Sequence, residues 1–544
     1  MTECRALAQS LARGDPTPTI EWKWPVHAAF RRRGIRLWDG WSDGGALGPW
    51  LDRSRRALRQ LPDRLEISFP TEFMDIDTAT PARAPPSWGG IFGLEVSDGD
   101  RCIRLAPAQM IAANVSWARA VEACRVNLGA PRTAPVRIRR FRAEEYLVAL
   151  DASGETEAIA RAGRPVGEAD VSDAGAVAGL ARLLGNWMVA NTGEDGRLVY
   201  KYWPSRGAES TADNTVRQFM GTVALQRYAR WAGDAGAADA ARRNLDRQIA
   251  TYFRPMPDGT GVIELGGSAK LGAAALAGLA ILEAEDGARH ARILDALAVG
   301  IERLWRPDGA FRTFHFPAER NDNQNFYPGE AALFWAHLYA RRRDDAILAR
   351  LRRTLDHYRD WHRARRNPAF VPWHAQAHVA AWEATGDAER IPFVFEMIDW
   401  LLPMQQWDGA PAADMRGRFY DPAHREWGPP HAASTGAYLE GIAVACRLAR
   451  ALGDHPRAAR YAESLRRGFR NIRQLVFADP VDLFYVSRRR RTLGGVRTEV
   501  YDNTIRLDNV QHALMALLDV LRHDTLGIPD GPQGSQSPAT SGTE

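Results

Sequence analysis

The feature that most constrains this chain is a count. Between about residues 171 and 522, stretches with apolar residues at helical spacing recur twelve times: 173–191, 212–233, 235–252, 268–284, 287–305, 328–341, 344–362, 373–385, 388–405, 434–452, 455–475 and 506–522. Helices in a fixed rhythm mark a repeat architecture, in which each pair buries a face that its neighbour completes. The connections alternate. At the short corners Ala-Gly-Asp234, Thr-Gly-Asp387 and Leu-Gly-Asp454, a glycine suits a left-handed helix end and an aspartate suits the next helix start. Glu-Asp-Gly287 and Arg-Asp-Asp345 hold equivalent places. The other connections are long: 253–267, 306–327, 363–372, 406–433 and 476–505. Loops of that length inside a compact domain are usually functional. All lead into the same class of helix, so they gather on one face.

That class differs from its partners. Its helices open on polar residues: Asp213-Asn214 with Arg217 and Gln218; Ser268-Ala-Lys270; Asn325-Phe-Tyr327-Pro-Gly-Glu330; Trp373-His374-Ala-Gln376-Ala-His378; Ser434-Thr435 with Tyr438 and Glu440; and Arg506-Leu-Asp508-Asn509-Val-Gln511-His512. The last of these then turns apolar on every side from Ala513 to Leu518, which marks a helix buried all round. Partners such as 235–252 and 344–362 are rich in Arg, Ala and Asp and carry a wet outer face. Six inner and six outer helices make an (α/α)6 toroid, so the fold class is mainly α. Polar side chains at the mouth of buried helices pair with one another or face a wet cavity.

Residues 1–165 read as a smaller α/β accessory domain with strands near Leu65–Phe69, Gly90–Val96, Cys102–Leu105 and Val136–Phe141, and one helix over 107–128. A small mixed sheet is expected there, with no catalytic residue. Asp98-Gly99 signals a hairpin. Residues 527–544 have the composition of a disordered tail. The net charge of +5, from 71 basic and 66 acidic residues, is no nucleic-acid footprint. Four scattered cysteines without a CxxC fit a reducing, cytoplasmic setting, and no run reaches the length of a membrane span or of a signal peptide's apolar region. His374 and His378 lie one turn apart but lack a third ligand, so no metal and no cofactor is expected.

The plan resembles the six-hairpin glycosidase-like superfamily, which includes glycoside hydrolases, the N-acylglucosamine 2-epimerase family and several uronate lyases. The resemblance rests on the repeat over 171–522 and implies a glycan or sugar-containing small molecule bound at the long-loop face. Lanthionine cyclases share the toroid but need a Cys/Cys/His zinc site, and Cys446 stands alone. Terpene cyclases of this class need a clustered acidic motif, which is absent.

Three functions follow, with a glycoside hydrolase as the leading expectation and the other two as alternatives. A glycoside hydrolase needs a carboxylic acid and a second carboxylate across the bond. Glu330, Asp508 and Glu440 are the candidates, with Glu330 as the acid, and Trp305, Trp373, Trp407 and Trp427 can stack on sugars. A uronate lyase or sugar epimerase needs a base and groups that stabilise an enolate. His512, Tyr438 and His374 with Asn214, Arg217 and Arg506 suit that. A non-catalytic glycan- or peptide-binding toroid is the third. Tyr327, Trp373, His374, Arg497 and Gln511 complete the substrate-binding set. Asp508 and His512 share a helix face and are expected to orient each other. Glu440 is either catalytic or the buried partner of an arginine. Arg497 either binds an anion or braces the last long loop.

Overall fold

The computed structural model describes residues 2–526 apart from Gly14, Pro16, Thr19, residues 77–83 and 132–134, and Ser172. The tail expected over 527–544 lies outside the described residues. The N-terminal part is built on a seven-stranded sheet. Its path runs Ile35–Trp41, His27–Arg32, Arg64–Asp75, Arg137–Ala149, Phe92–Ser97, Cys102–Leu105, and Thr156–Ile159 pairs beside Arg137–Ala149. Every pairing in it is antiparallel, so the mixed sheet expected from sequence is not what forms. A parallel neighbour needs a helical crossover that returns the chain in the same direction, and no two adjacent strands here are joined that way. The Asp98-Gly99 hairpin is present, joining Phe92–Ser97 to Cys102–Leu105.

Helices α1 (Thr2–Arg13) and α2 (Leu47–Arg56) pack over one end of this sheet, α3 (Pro107–Ala113) and α4 (Trp117–Leu128) over the other. The single helix expected over 107–128 is two. Asn114 turns into the left-handed region at φ 51°, and the chain re-enters a helix after Ser116, whose backbone is extended. Asn114 has a task there: its amide donates to Asp502 Oδ1 and Thr504 Oγ1, both at 3.1 Å, and its carbonyl oxygen accepts from Asn503 N at 3.0 Å. The N-terminal part thereby holds the strand that leads into the last inner helix.

The ring follows. The outer helices are α5 (Ala174–Ala190), α7 (Ala235–Tyr252), α9 (Ala291–Leu304), α11 (Asp345–Ala364), α13 (Ile391–Leu401) and α15 (His455–Leu475). The inner helices are α6 (Thr215–Ala232), α8 (Leu271–Glu283), α10 (Tyr327–Arg342), α12 (Val371–Thr385), α14 (Ala432–Ala451) and, after the single turn α16 (Arg489–Thr492), α17 (Leu507–His523). Each inner helix packs on the next and α17 packs back on α6, so the toroid is closed, with α5 as the outer partner of α17. The corners behave as their residues dictate except at Asp387, where the next helix starts only at Ile391 behind Arg390. Gly233, Gly386 and Gly453 have φ of 62°, 73° and 73°, and Asp234, Asp344 and Asp454 cap α7, α11 and α15. Inner helices approach closely because small residues allow it: a Cβ on Gly278 would sit 2.5 Å from the Phe334 ring.

The long loops form two small sheets at one mouth of the ring. Lys201–Trp203 pairs with Asp502–Arg506, which ties the loop before the first inner helix to the loop before the last. Ser268–Lys270 lies between Gly261–Leu265 and Phe314–Phe316. Asp482–Val486, whose apolar run Leu-Phe-Tyr-Val has the pattern of a strand, is a set of buried turns, because its side chains fill the core from a loop. No helix among the described residues is long and apolar enough to cross a membrane.

Candidate active site

The inner helices deliver their polar first turns to one cavity of about 360 Å³ at the long-loop mouth. Ten of the thirteen candidate residues line it: Asn214, Arg217, Tyr327, Glu330, Trp373, Tyr438, Arg506, Asp508, Gln511 and His512. Helix N-termini meeting there add a positive field and unpaired N–H groups.

Asp508 is clamped. Arg217 Nε donates to its Oδ2 at 2.5 Å, Arg506 Nε donates to its Oδ1 at 2.9 Å, and Arg506 Nη2 reaches Oδ2 as well. Burial pushes the carboxyl up, but Arg217 and Arg506 outweigh it and hold Asp508 down at about 2. Its two oxygens are therefore occupied and weakly basic. Asn214 caps α6, accepting from Arg217 N at 3.2 Å, and Arg217 Nη1 also donates to Tyr200 Oη at 3.2 Å. The Arg217 backbone is thus set by Asn214, and its guanidinium by Asp508 and Tyr200.

Glu330 is the opposite case. It is 2% exposed, and its Oε2 has no hydrogen-bond partner among the described residues. Burial raises its carboxyl to about 8 against the pull of Arg217 and Lys270, so it holds its proton at neutral pH. Helix α8 makes room for it: a Cβ on Gly272 would lie 1.9 Å from Glu330 Oε2. Burial raises the Tyr327 and Tyr438 hydroxyls too, so both remain protonated donors.

His512 does not pair with Asp508 as expected from their shared helix face. Its Nδ1 lies 2.6 Å from Glu440 Oε1 on α14. The carboxylate so fixes the tautomer with hydrogen on Nδ1 and leaves the Nε2 lone pair as a base. Glu440 is 3% exposed, its other oxygen accepts from Gln376 Nε2 at 3.3 Å, and the hydrogen-bond partner expected to be an arginine is this histidine. Trp373 meets the His512 ring edge-to-face at 6.0 Å. Glu440 stands behind the cavity wall and acts on it through His512.

Two other candidates lie elsewhere. His374 is fully buried and stacked on Phe370 at 3.6 Å, and neither ring nitrogen has a hydrogen-bond partner among the described residues, so it is core. Arg497 is buried against Asp482 at 3.5 Å and over the Phe477 ring at 4.5 Å, where it braces the last long loop. Of the stacking candidates, Trp373 and Trp427 line the cavity; Trp305 donates to Thr354 and packs on Trp335. No group of three metal-ligating side chains occurs among the described residues.

Sequence reasoning missed His431. It lines the cavity as the cap of α14, its Nδ1 accepting from Ser434 N at 3.1 Å. Burial, then Arg506, lowers its pKa to about 4. A neutral ring whose Nδ1 accepts an N–H carries its hydrogen on Nε2. The available signal was a histidine where a helix usually starts on Ser, Thr, Asp or Asn, three residues before Ser434. Phe326, 39% exposed at the cavity edge, was missed as well.

No protein-family model matches the chain, and no curated protein matches it. Solved structures do. An inactive variant of an α-1,6-mannanase of Salegentibacter sp. HEL1_6, in complex with α-1,6-mannotriose, superposes with a TM-score of 0.46 at 11% identity, covering 63% of this chain and 98% of that one. A D-mannose isomerase gives 0.47 at 12% identity over 63% and 97%. A family 76 glycoside hydrolase from a bovine Bacteroides thetaiotaomicron strain gives 0.44 at 9% identity over 84% and 96%. No residue role is carried over from any of them.

Proposed function

We propose that this chain is a carbohydrate-active enzyme that moves a proton at a sugar carbon next to a carbonyl or carboxyl group, the chemistry of an epimerase or a lyase. The observation that carries the reading is the 2.6 Å contact between His512 Nδ1 and Glu440 Oε1 at the cavity wall. It supplies an aimed base, and a base beside the acidic C–H is what such a reaction needs. The remaining groups suit the charge that develops. His431 Nε2–H, the protonated Glu330 and the Arg217–Arg506 pair are donors for an enolate oxygen or for returning a proton. Trp373, Trp427 and Tyr327 give flat apolar walls for a sugar ring.

Glycoside hydrolysis is the second reading, favoured by one observation: Glu330 keeps its proton at neutral pH, as a leaving-group acid must. It is weaker because the other carboxylate on the cavity wall, Asp508, has both oxygens engaged by arginines and makes a poor base or nucleophile.

One experiment separates them. The protein is incubated with reducing sugars, uronates and short α-mannosides in D2O and followed by NMR. Epimerisation incorporates deuterium at a sugar carbon, elimination leaves an unsaturated uronate with a new vinyl proton signal, and His512→Asn abolishes either. New reducing ends with neither carbon-bound deuterium nor an unsaturated product would replace this reading with hydrolysis. Binding with neither outcome would leave a non-catalytic toroid.

A further inference from the structure

The cavity has a side arm. A second, shallower groove of about 30 Å³ shares three of its walls, Trp427, Ser434 and Tyr438. Its other walls include Pro368, which adjoins Ala369 of the cavity, and the run of loop 406–433 that holds Tyr420, Asp421, His424, Pro429 and Pro430. That run is kept in shape by its own bonds. Tyr420 N donates to Met404 O at 2.9 Å, Ala423 N donates to Asp421 Oδ1 at 2.9 Å, and His424 Nδ1 lies 2.8 Å from Glu426 Oε1. Trp427 is fixed from two sides: His424 stacks on it at 4.2 Å, and Trp400 meets it edge-to-face at 5.7 Å. Gly428, at φ 101°, turns the chain into Pro429 and Pro430, whose rings leave it little freedom. The groove is thus a row of flat, rigid, apolar faces with the Asp421 carboxylate and the His424 imidazole beside them.

Such a surface matches a sugar ring. The C–H face of a pyranose packs on aromatic and proline rings, and the hydroxyls around its rim offer donors to a carboxylate. A wholly apolar group would cover Asp421 without giving it a donor. The groove encloses no more than about one or two waters, so a ring lies on it rather than in it. The cavity of about 360 Å³ is near the small end of ligand pockets, and the three shared walls put the two spaces side by side. We propose that the groove is a second sugar subsite and that the ligand is a glycosidically linked sugar, one residue enclosed in the cavity and its neighbour stacked on Tyr420 and Trp427. This deepens the carbohydrate reading above and rests on it.

The test is calorimetric titration of the full chain with free hexoses and hexuronates, and with disaccharides that contain them in α and β linkage. The expected result is that at least one disaccharide binds about tenfold tighter than either of its constituent sugars. Tyr420→Ala is expected to cut that ratio about tenfold and Tyr420→Phe, which keeps the flat ring, to preserve most of it, with unchanged circular dichroism. Free sugars binding as tightly as every disaccharide would overturn the proposal and leave the carbohydrate reading standing. A folded Tyr420→Ala that keeps the full ratio would overturn it as well. The comparison on the parent protein decides the matter even if the variant fails to fold. Absence of binding by any sugar sinks both readings.

Discussion

His512 Nδ1 lies 2.6 Å from Glu440 Oε1, a contact between two inner helices whose partners stand 72 positions apart in the chain. Helices α17 and α14 are neighbours in the ring, and Gly436 lets them close: a Cβ there would be 2.8 Å from the Ala513 backbone nitrogen. A single close packing thus turns a cavity histidine into an oriented base.

Glu440→Gln keeps the shape and removes the charge that aims His512. Turnover is expected to fall by about 10- to 100-fold with KM little changed, the scale for losing a group that supports a catalytic partner. The pH–rate profile shifts with it, which a purely structural role would not produce. Steady-state kinetics across pH 5–9 checks both.

Glu330 gives a pH-dependent stability. Its folded pKa, about 8, is above the ordinary carboxyl value of 4.5, so the folded state binds a proton that the unfolded state has released. The stability this contributes is full below about pH 4.5 and is lost as pH rises through about 8. Glu330→Gln should flatten the decline, leaving the variant more stable than the parent at pH 8 by on the order of 1 kcal/mol or more. Urea titrations at pH 5 and pH 8 measure it. Equal slopes for parent and variant would show that Glu330 titrates normally.

Three histidines act in the other direction. His362, His374 and His378 are buried among Phe370, Phe393, Tyr358 and Trp400, and burial lowers all three, His362 to about 4 and His378 to about 3. A depressed histidine stabilises the fold above the unfolded value of 6.5 and withdraws that stability as pH falls towards its folded pKa. The protein is expected to lose stability steeply between pH 6.5 and 4, and His378→Leu to remove about one proton's share of the slope. Thermal melts through that range are the readout.

Asp508→Asn leaves Arg217 and Arg506 facing each other without their shared anion. A loss of about 2–3 kcal/mol is expected, below the range for fully buried pairs because both arginines keep some solvent contact. Turnover should fall about 100-fold as the guanidiniums move apart. Chemical denaturation and kinetics on the same preparation separate the two effects.

Asn114→Ala tests the N-terminal part. It removes three hydrogen bonds to residues 502–504, the strand that presents Arg506. The expected cost is about 2 kcal/mol, with a rise in KM greater than the fall in kcat, since the cavity loses precision rather than a reacting group. An unchanged KM would mean that the strand needs no such support.

The sequence determined the ring. Helical period, glycine-aspartate corners and alternating loop lengths are local properties, so twelve helices, their inner and outer classes and the face that carries the loops follow from neighbours in the chain. It also marked most of the cavity, because polar residues at the first turn of a buried helix have few other places to go. What it left undecided was direction. Inner helices converge on one axis, and a rotation of one residue's step, about 100°, decides whether a side chain meets the cavity or the next helix. That step puts His374 into the aromatic core although it adjoins Trp373 on the cavity wall, and sends Glu440 to His512 although the chain places it near neither Asp508 nor His512. Asp508 and His512 do share a face, yet beyond the adjacent Arg506 each found its partner on another helix: the Arg217 guanidinium for one, the Glu440 carboxylate for the other. Those choices depend on which helices lie side by side once the ring closes, and no spacing along the chain encodes them.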